Sequence, residues 1–233
     1  MIVDAGYQAL PIALVVAVYA SAASFIGGYR RLPALVLSAR YGLYTLPVLL
    51  GVSTAALVYA FVTNDFSVRY VAENSNLAMP DKYTWVAIYA GNSGSMLFIT
   101  VTLSAVSAVA VAGLARKLSF TAPFATGLMA LVLTFFLAVM VLMANPLDSL
   151  PFTPEDGRGI NPLLIHFGMF IHPPMQMFGL VSVAIPFSIA MGALLAGRGG
   201  RDEWVDQGRL WGVLSWLVLT TGLILGSWWA YTI

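Results

Sequence analysis

The two histidines of the chain, His166 and His172, lie six residues apart in the segment GINPLLIHFGMFIHPPMQMF, residues 159–178. Histidine binds metals as a neutral imidazole and changes charge near neutral pH, so these side chains are the clearest candidates for chemistry. The chain has no cysteine, which excludes disulfides, thiolate metal sites, iron–sulfur clusters and thioether attachment of a cofactor to this chain. A Ser-His-Asp order, a phosphate-binding loop and an HExxH helix are also missing from the sequence.

His172 is followed by two prolines, and this placement suggests a ligand. A residue before proline is pushed out of the helical region, so His172 is expected at the break before a helix, with its ring pointing away from the helix axis toward a cavity. Haem iron is held by an imidazole fixed in one tautomer beside a flat apolar slot. The side chains that could supply this slot are Met169, Phe170, Met175, Met177 and Phe178. The plainer alternative is a histidine that hydrogen-bonds a loop carbonyl, with Met and Phe residues that only pack.

His166 offers the same two readings, ligand or hydrogen-bonded loop residue. Six helical steps place it about 240° around a helix from His172, so the two rings are not expected to face each other. A bis-histidine clamp supplied by this chain alone is therefore not predicted.

The composition is that of a membrane protein. Hydrophobic residues make up 60% of the 233, charged residues 9%, and the mean hydropathy is +0.87. A soluble domain of this length is far less apolar. The net charge of +1 argues against nucleic acid as a partner, because backbone binding requires many unbalanced Lys and Arg residues.

Six apolar windows are long enough to cross a bilayer, which takes about 20 helical residues. They are approximately Gln8–Gly28, Gly42–Val62, Thr84–Leu103 with an extension to Gly113, Phe124–Ala144, Pro173–Ala196 and Leu210–Tyr231. The first window lacks the basic flank of a secretory signal and is interpreted as a permanent span. The prediction is an all-α integral membrane protein, a bundle of about six transmembrane helices with two long extracytoplasmic loops. Residues 1–233 are expected to form a single transmembrane domain.

The basic residues predict the orientation. Eight of the eleven Lys and Arg residues follow the first, third and fifth windows: Arg30, Arg31, Arg40, Arg116, Lys117, Arg198, Arg201 and Arg209. By the positive-inside rule these loops are cytoplasmic. Both termini and the histidine loop are then extracytoplasmic, in a multi-pass protein of the cytoplasmic (inner) membrane.

The two outer loops carry local patterns. Alternation at Phe66, Val68 and Tyr70 predicts a short extended piece. Asn161-Pro162 is typical of an N-cap followed by a first helical residue, which predicts a short interfacial helix over Pro162–Phe170.

Three further features have structural explanations of their own. Gly222 and Gly226 form a GxxxG pair that favours close helix packing. Small polar residues at 91–95 suit either a broken helix beside a cavity or a packing notch. Tryptophans at predicted outer boundaries (Trp85, Trp228 and Trp229) suit an interfacial belt.

Four sequence blocks together resemble a known family. They are FSVRYVAENSN at 66–76, NPLL at 161–164, HPP at 172–174 and GSWWAY at 226–231, in order from the second window onward. The chain resembles the N-terminal third of CcmF-type cytochrome c haem lyase subunits of System I maturation, in the CcmF/NrfE/CcsA haem-handling protein family. The resemblance implies that His172 is an axial ligand of haem iron, with a b-type haem in transit to cytochrome c. It also implies a haem-binding role for the residues around His172: Pro173, Pro174, Met169, Phe170, Trp228 and Trp229.

The chain departs from the family pattern in three respects. The family's Trp-rich "WWD" segment, its second outer histidine and two membrane histidines would lie beyond Ile233. The family's His-Glu-Gly-Ser block reads Asn92-Ser93-Gly94-Ser95, and His166 stands where an acidic residue is usual. The expectation is a split haem lyase, in which a second membrane subunit brings the Trp-rich segment and the opposing histidine. A haem chaperone and apocytochrome c are the other expected partners.

Three functions follow as hypotheses. The first is a subunit of a haem lyase complex that binds and presents haem at the outer membrane face for attachment to apocytochrome c; its catalytic residues are unknown. The second is a non-catalytic haem transporter or chaperone. The third is a structural membrane scaffold with inert histidines.

Overall fold

The computed structural model describes residues 1–232, which form α-helices and short 3₁₀ turns. The helices are α1 Ile2–Arg30, α2 Pro33–Val62, α3 Arg69–Asn74, α4 Thr84–Ala87, α5 Asn92–Lys117, α6 Ala122–Met143, α7 His172–Ser182, α8 Ala184–Leu195 and α9 Val205–Thr232. Six helical segments are long and apolar enough to cross a membrane. Within residues 1–232 the one β-type pairing is an isolated bridge between Val68 and Ser149. The prediction of an all-α membrane protein is confirmed.

Several helices begin earlier than their apolar windows. α1 begins at Ile2 rather than Gln8, and α2 begins at Pro33 rather than Gly42. Proline suits the first helical position because the amide that it lacks would have no partner there. Hydropathy detects the apolar part of a helix and misses polar turns such as the one around Arg40.

The core lies between α1, α2, α5 and α6. Leucines that are fully inaccessible to solvent fill it, among them Leu10, Leu50 and Leu137. Serine hydroxyls bond across helices, including Ser24 Oγ to the Pro123 carbonyl at 2.7 Å. Such bonds and small residues at contacts are how helices associate in lipid. α9 lies at the edge and packs mainly on α7, and of its described residues only Ser215 and Gly222 are buried.

The predicted fifth window is two helices rather than one. α7 ends at Ser182 and α8 begins at Ala184, with Val183 between them. Pro186 cannot donate to the Ser182 carbonyl four residues earlier, and its ring crowds that carbonyl, which kinks a helix. The break redirects the chain so that α7 pairs with α9 while α8 packs on α6.

The predicted continuous helix from Thr84 to Leu103 is also broken. α4 ends at Ala87 and α5 begins at Asn92. The Tyr70 hydroxyl accepts from the Gly91 amide at 2.8 Å and lies 3.1 Å from the Ala87 carbonyl. A buried side chain therefore satisfies backbone groups that the break leaves without helical partners.

The two long loops meet at one end of the bundle, which we call the loop end. The Arg69 amide donates to the Asp148 carbonyl at 2.8 Å, and the Arg158 amide donates to the Ala72 carbonyl at 2.7 Å. The predicted extended piece is reduced to the bridge at Val68, because Tyr70 lies in α3. The opposite end carries the eight basic residues named above, and we call it the basic end.

Candidate functional site

His172 is the first residue of α7, at the loop end, and its ring packs against α9. The expectation that it lies outside the helix with its ring turned to a cavity is wrong. The helix begins one residue earlier than predicted because Pro173 and Pro174 occupy first-turn positions, where proline is tolerated. The ring is half-buried, and its Nδ1 lies 2.8 Å from the Gly222 carbonyl oxygen.

This hydrogen bond fixes the tautomer of His172. A carbonyl can only accept, so Nδ1 carries the proton and Nε2 of the neutral ring keeps its lone pair. Ligating histidines are commonly held in this way by a carbonyl on the other ring nitrogen. Gly226 makes room for the ring, since a Cβ there would lie 2.6 Å from Nδ1 and 3.0 Å from Nε2 of His172. The predicted role of the GxxxG pair in close packing is confirmed, because Gly222 also lies against the backbone of Gln176.

His166 has the opposite hydrogen-bonding role. It caps the 3₁₀ turn Phe167–Phe170, and its Nδ1 accepts from the Gly168 amide at 3.0 Å. In the neutral ring Nε2 then carries the proton and offers no lone pair. The predicted continuous helix over Pro162–Phe170 is two 3₁₀ turns, Pro162–Leu164 and Phe167–Phe170, separated at Ile165 and His166. The predicted N-cap is confirmed, because the Asn161 side chain accepts from the Leu163 amide at 3.1 Å.

Both histidines contact the same indole. Trp229 stacks on His166 with ring centroids 6.2 Å apart and an interplanar angle of 15°, and its centroid is 5.6 Å from that of His172. Trp228 is 48% exposed and lies 5.9 Å from His166. Residues 165–171 are not one helix, so the 240° helical argument does not apply to them, yet no contact joins the two imidazole rings, and the expectation that they do not face each other stays a prediction. The buried Trp229 Nε1 has no acceptor among the described residues.

The other predicted slot residues are spread over different surroundings. Met169 is buried in the core, whereas Phe170 lines a cavity of about 290 Å³ with Lys82, Tyr83 and Phe167. Pro173 and Pro174 are half-buried at the start of α7, as are Met175 and Met177, and Phe178 is exposed. The haem-binding role of these residues remains a prediction.

The histidine segment is held by Tyr89, a residue that sequence reasoning did not single out. The Tyr89 hydroxyl donates to the Met169 carbonyl at 2.9 Å, between residues 80 positions apart. Burial raises the pKa of Tyr89 to about 12 and raises the pKa of Tyr70 further. Both hydroxyls therefore remain protonated donors at neutral pH. A tyrosine in a polar stretch such as YAGNSGS carries a weak signal for this role, since its acceptor is distant in sequence.

Comparison with known proteins covers the whole chain. The family model "Cytochrome C assembly protein" matches residues 89–233. The cytochrome c-type biogenesis protein CcmF of Pseudomonas aeruginosa is 36% identical over 99% of this chain and 35% of its own length. CcmF of Escherichia coli is 34% identical over 99% of this chain and 36% of its own length. NrfE of Haemophilus influenzae is 31% identical over 99% and 36%.

A solved structure supports the fold. The structure titled "Cytochrome c Heme Lyase CcmF" superposes with a TM-score of 0.85 at 23% identity, over 99% of this chain and 36% of that one. The chain thus spans about a third of the length of the relatives that it matches. The residues that the family model matches include the His166–His172 segment and α9, which form the site described above. The chain therefore belongs to the cytochrome c assembly protein family.

Proposed function

We propose that this chain is the haem-binding part of a System I-type cytochrome c haem lyase. It binds a b-type haem through His172 at the extracytoplasmic face and presents it for attachment to apocytochrome c. Haem in this proposal is the substrate in transit.

The observation that carries the proposal is the hydrogen bond between His172 Nδ1 and the Gly222 carbonyl. It leaves Nε2 as the nitrogen with a free lone pair, and it holds the ring in one orientation. A ligand fixed in this way loses less entropy on binding than a freely rotating side chain does. His166 lacks the equivalent lone pair, because its Nδ1 accepts from Gly168. His172 is therefore the better candidate for the metal ligand.

The surroundings suit a flat aromatic macrocycle. Trp228 and Trp229 lie beside the histidines, and Trp228 is partly open to the outside. Aromatic faces supply apolar area and stacking contacts to a planar ligand. Such contacts would orient the haem vinyl groups toward the thiols of the apocytochrome. The ring of His172 contacts Gly222, Gly226 and Trp229, and none of these residues is an acid or base.

The distribution of charge supports an extracytoplasmic site. The basic end carries eight of the eleven Lys and Arg residues, and the histidines lie at the opposite end. The positive-inside rule then places the loop end, with both termini, outside the cytoplasmic membrane. Apocytochrome thiols are attached to haem on that side in this proposal.

We propose that a further membrane segment completes the site. The relatives are about three times as long as this chain, so their remaining length can supply what residues 1–232 lack. The lipid-side face of α9 is available for such a partner, since Trp216, Leu217 and Ile224 are each more than half exposed. The expected partner is a second membrane subunit with the Trp-rich WWD segment and an opposing histidine. A haem chaperone would deliver the haem.

Two other functions keep specific support. The contacts of the His172 ring with Gly222, Gly226 and Trp229, which offer no acid or base, also fit a haem transporter or chaperone without a chemical step. A histidine bonded to a carbonyl also fits a structural scaffold.

His172→Ala separates these functions when holocytochrome c is measured in cells that contain the whole maturation system. Loss of holocytochrome c with the variant still present in membranes favours haem handling. His166→Ala is the matched control, and the proposal expects it to retain much more activity. An unchanged level of holocytochrome c in His172→Ala would leave only the scaffold. Thioether formation in a reconstituted system distinguishes the lyase from the transporter.

A further inference from the structure

A large cavity lies at the basic end of the bundle, away from the histidine site. Its volume is about 720 Å³, within the range of about 300–1,000 Å³ of small-molecule sites. The α1–α2 turn, the α5–α6 loop and the end of α8 form its walls. We propose that this cavity binds the phosphate headgroup of an anionic phospholipid, independently of the function proposed above.

Two arginines of the wall face no carboxylate. Arg31 and Arg40 line the cavity, and none of the described residues that line it is acidic. The ion pairs among residues 1–232 involve the N-terminal amine, Arg201 and Arg209, and therefore neither Arg31 nor Arg40. Arg40 is half-buried. A partly desolvated guanidinium is stabilised by an anion, and the planar fork of arginine matches a phosphate.

The backbone conformation of Arg31 indicates that its side chain has a role at the cavity. Arg31 has a φ of 55° and a ψ of 47°, and the next amide, that of Leu32, donates to the Gly27 carbonyl at 2.9 Å. Glycine is the favoured residue in this left-handed conformation at the end of a helix. A side chain with a Cβ costs about 1 kcal/mol or more there. Strain of this kind at a cavity wall favours a binding role for the side chain.

The remaining wall is apolar, which selects a lipid over a soluble anion. Pro123 and Phe124 line the cavity, together with the exposed Leu37, Phe120 and Leu195. The guanidinium of Arg198 lies 4.2 Å from the centroid of the Phe120 ring and adds a third positive charge near the cavity. Basic pockets between transmembrane helices on the cytoplasmic side bind anionic headgroups. The apolar surfaces beside the arginines suit the first part of the acyl chains.

Native mass spectrometry of the purified full chain tests the proposal. The probes are phosphatidylglycerol, phosphatidylcholine, and inorganic phosphate as a competitor. The variants are Arg31→Gln, Arg40→Gln and the double variant, with Arg116→Gln as the matched control, because Arg116 is exposed at the same end and does not line the cavity. Thermal unfolding without added lipid confirms that each variant is folded.

The expected result is selective, saturable binding of phosphatidylglycerol. Each single variant weakens binding about fivefold and the double variant about thirtyfold, because each basic residue near the headgroup contributes a roughly equal share. Arg116→Gln binds as the unaltered chain does, and inorganic phosphate does not compete. Equal binding by the double variant would overturn the proposal. Equal competition by inorganic phosphate, or equal binding of phosphatidylcholine, would also overturn it.

Discussion

Gly226→Ala should displace the His172 ring. A Cβ at Gly226 would lie 2.6 Å from His172 Nδ1, and an ordinary contact begins near 3.4 Å. The ring must therefore retreat from α9 by at least about 0.8 Å, since its Cε1 lies closer still, and this stretches its 2.8 Å bond to Gly222 beyond hydrogen-bonding distance. Overpacking of this kind costs about 1–3 kcal/mol.

The matched control is Gly212→Ala on the same helix. No atom outside the helix backbone lies within 4 Å of a Cβ at Gly212. Both substitutions raise helix propensity by up to about 1 kcal/mol, so their difference isolates the contact with the ring. Thermal unfolding in detergent should show Gly226→Ala about 2–12 °C below Gly212→Ala, for a cost of about 1–3 kcal/mol. Holocytochrome c formation should fall in Gly226→Ala alone.

A double-mutant cycle between Gly226→Ala and His172→Ala locates the clash. If the new methyl meets the imidazole, removal of the ring removes most of the cost of Gly226→Ala. Additive losses of stability in the double variant would refute the contact. Full stability and activity in Gly226→Ala would refute the claim that ring position matters.

Four further predictions concern Tyr70, Tyr89 and His166. Tyr70→Phe should lower the free energy of unfolding by about 1–3 kcal/mol, because it leaves the partly buried Gly91 amide without this acceptor; chemical denaturation measures this. Tyr89→Phe should lower the free energy of unfolding by about 0.5–1.5 kcal/mol, because the Met169 carbonyl loses its donor. A proportionally smaller loss of holocytochrome c than of stability would contradict a role for Tyr89 in positioning the histidine segment. Because folding raises the pKa of Tyr89 to about 12, its stabilisation is complete below about pH 10 and is lost as the pH rises toward 12. The stability of the parent chain should therefore approach that of Tyr89→Phe over that interval. His166→Ala should loosen the Phe167–Phe170 turn and leave haem ligation intact, which visible spectra check.

The spans were predictable because twenty apolar residues without charge have one stable solution in a bilayer. Of the two breaks within them, only the one between α7 and α8 has a signal in the sequence. Pro186 lies four residues after Ser182, which signals the kink between α7 and α8. The break before Asn92 depends on Tyr70, whose hydroxyl reaches backbone groups 17 to 21 residues away. A hydropathy profile takes no account of a contact between residues so far apart in the sequence.

The site was predictable in its residue types and not in its arrangement. The histidines, Trp228 and Trp229 were recognisable from the sequence, but the approach of both histidines to one indole required the 3₁₀ turns of residues 162–170. The ring of His172 turned to α9 because Gly222 and Gly226 offered a carbonyl and an open space. In the sequence alone those glycines indicate only close helix packing, because the position of α7 beside them is a property of the fold.

The central claim is that Nε2 of His172 binds haem iron while Nδ1 is held by Gly222. The direct test is the visible spectrum of haem bound to the complex purified with the parent chain, with His172→Gly, and with His172→Gly plus added imidazole. If Nε2 binds the iron, the axial-ligand bands are lost in His172→Gly and return with imidazole. Identical spectra for the parent chain and His172→Gly would contradict it.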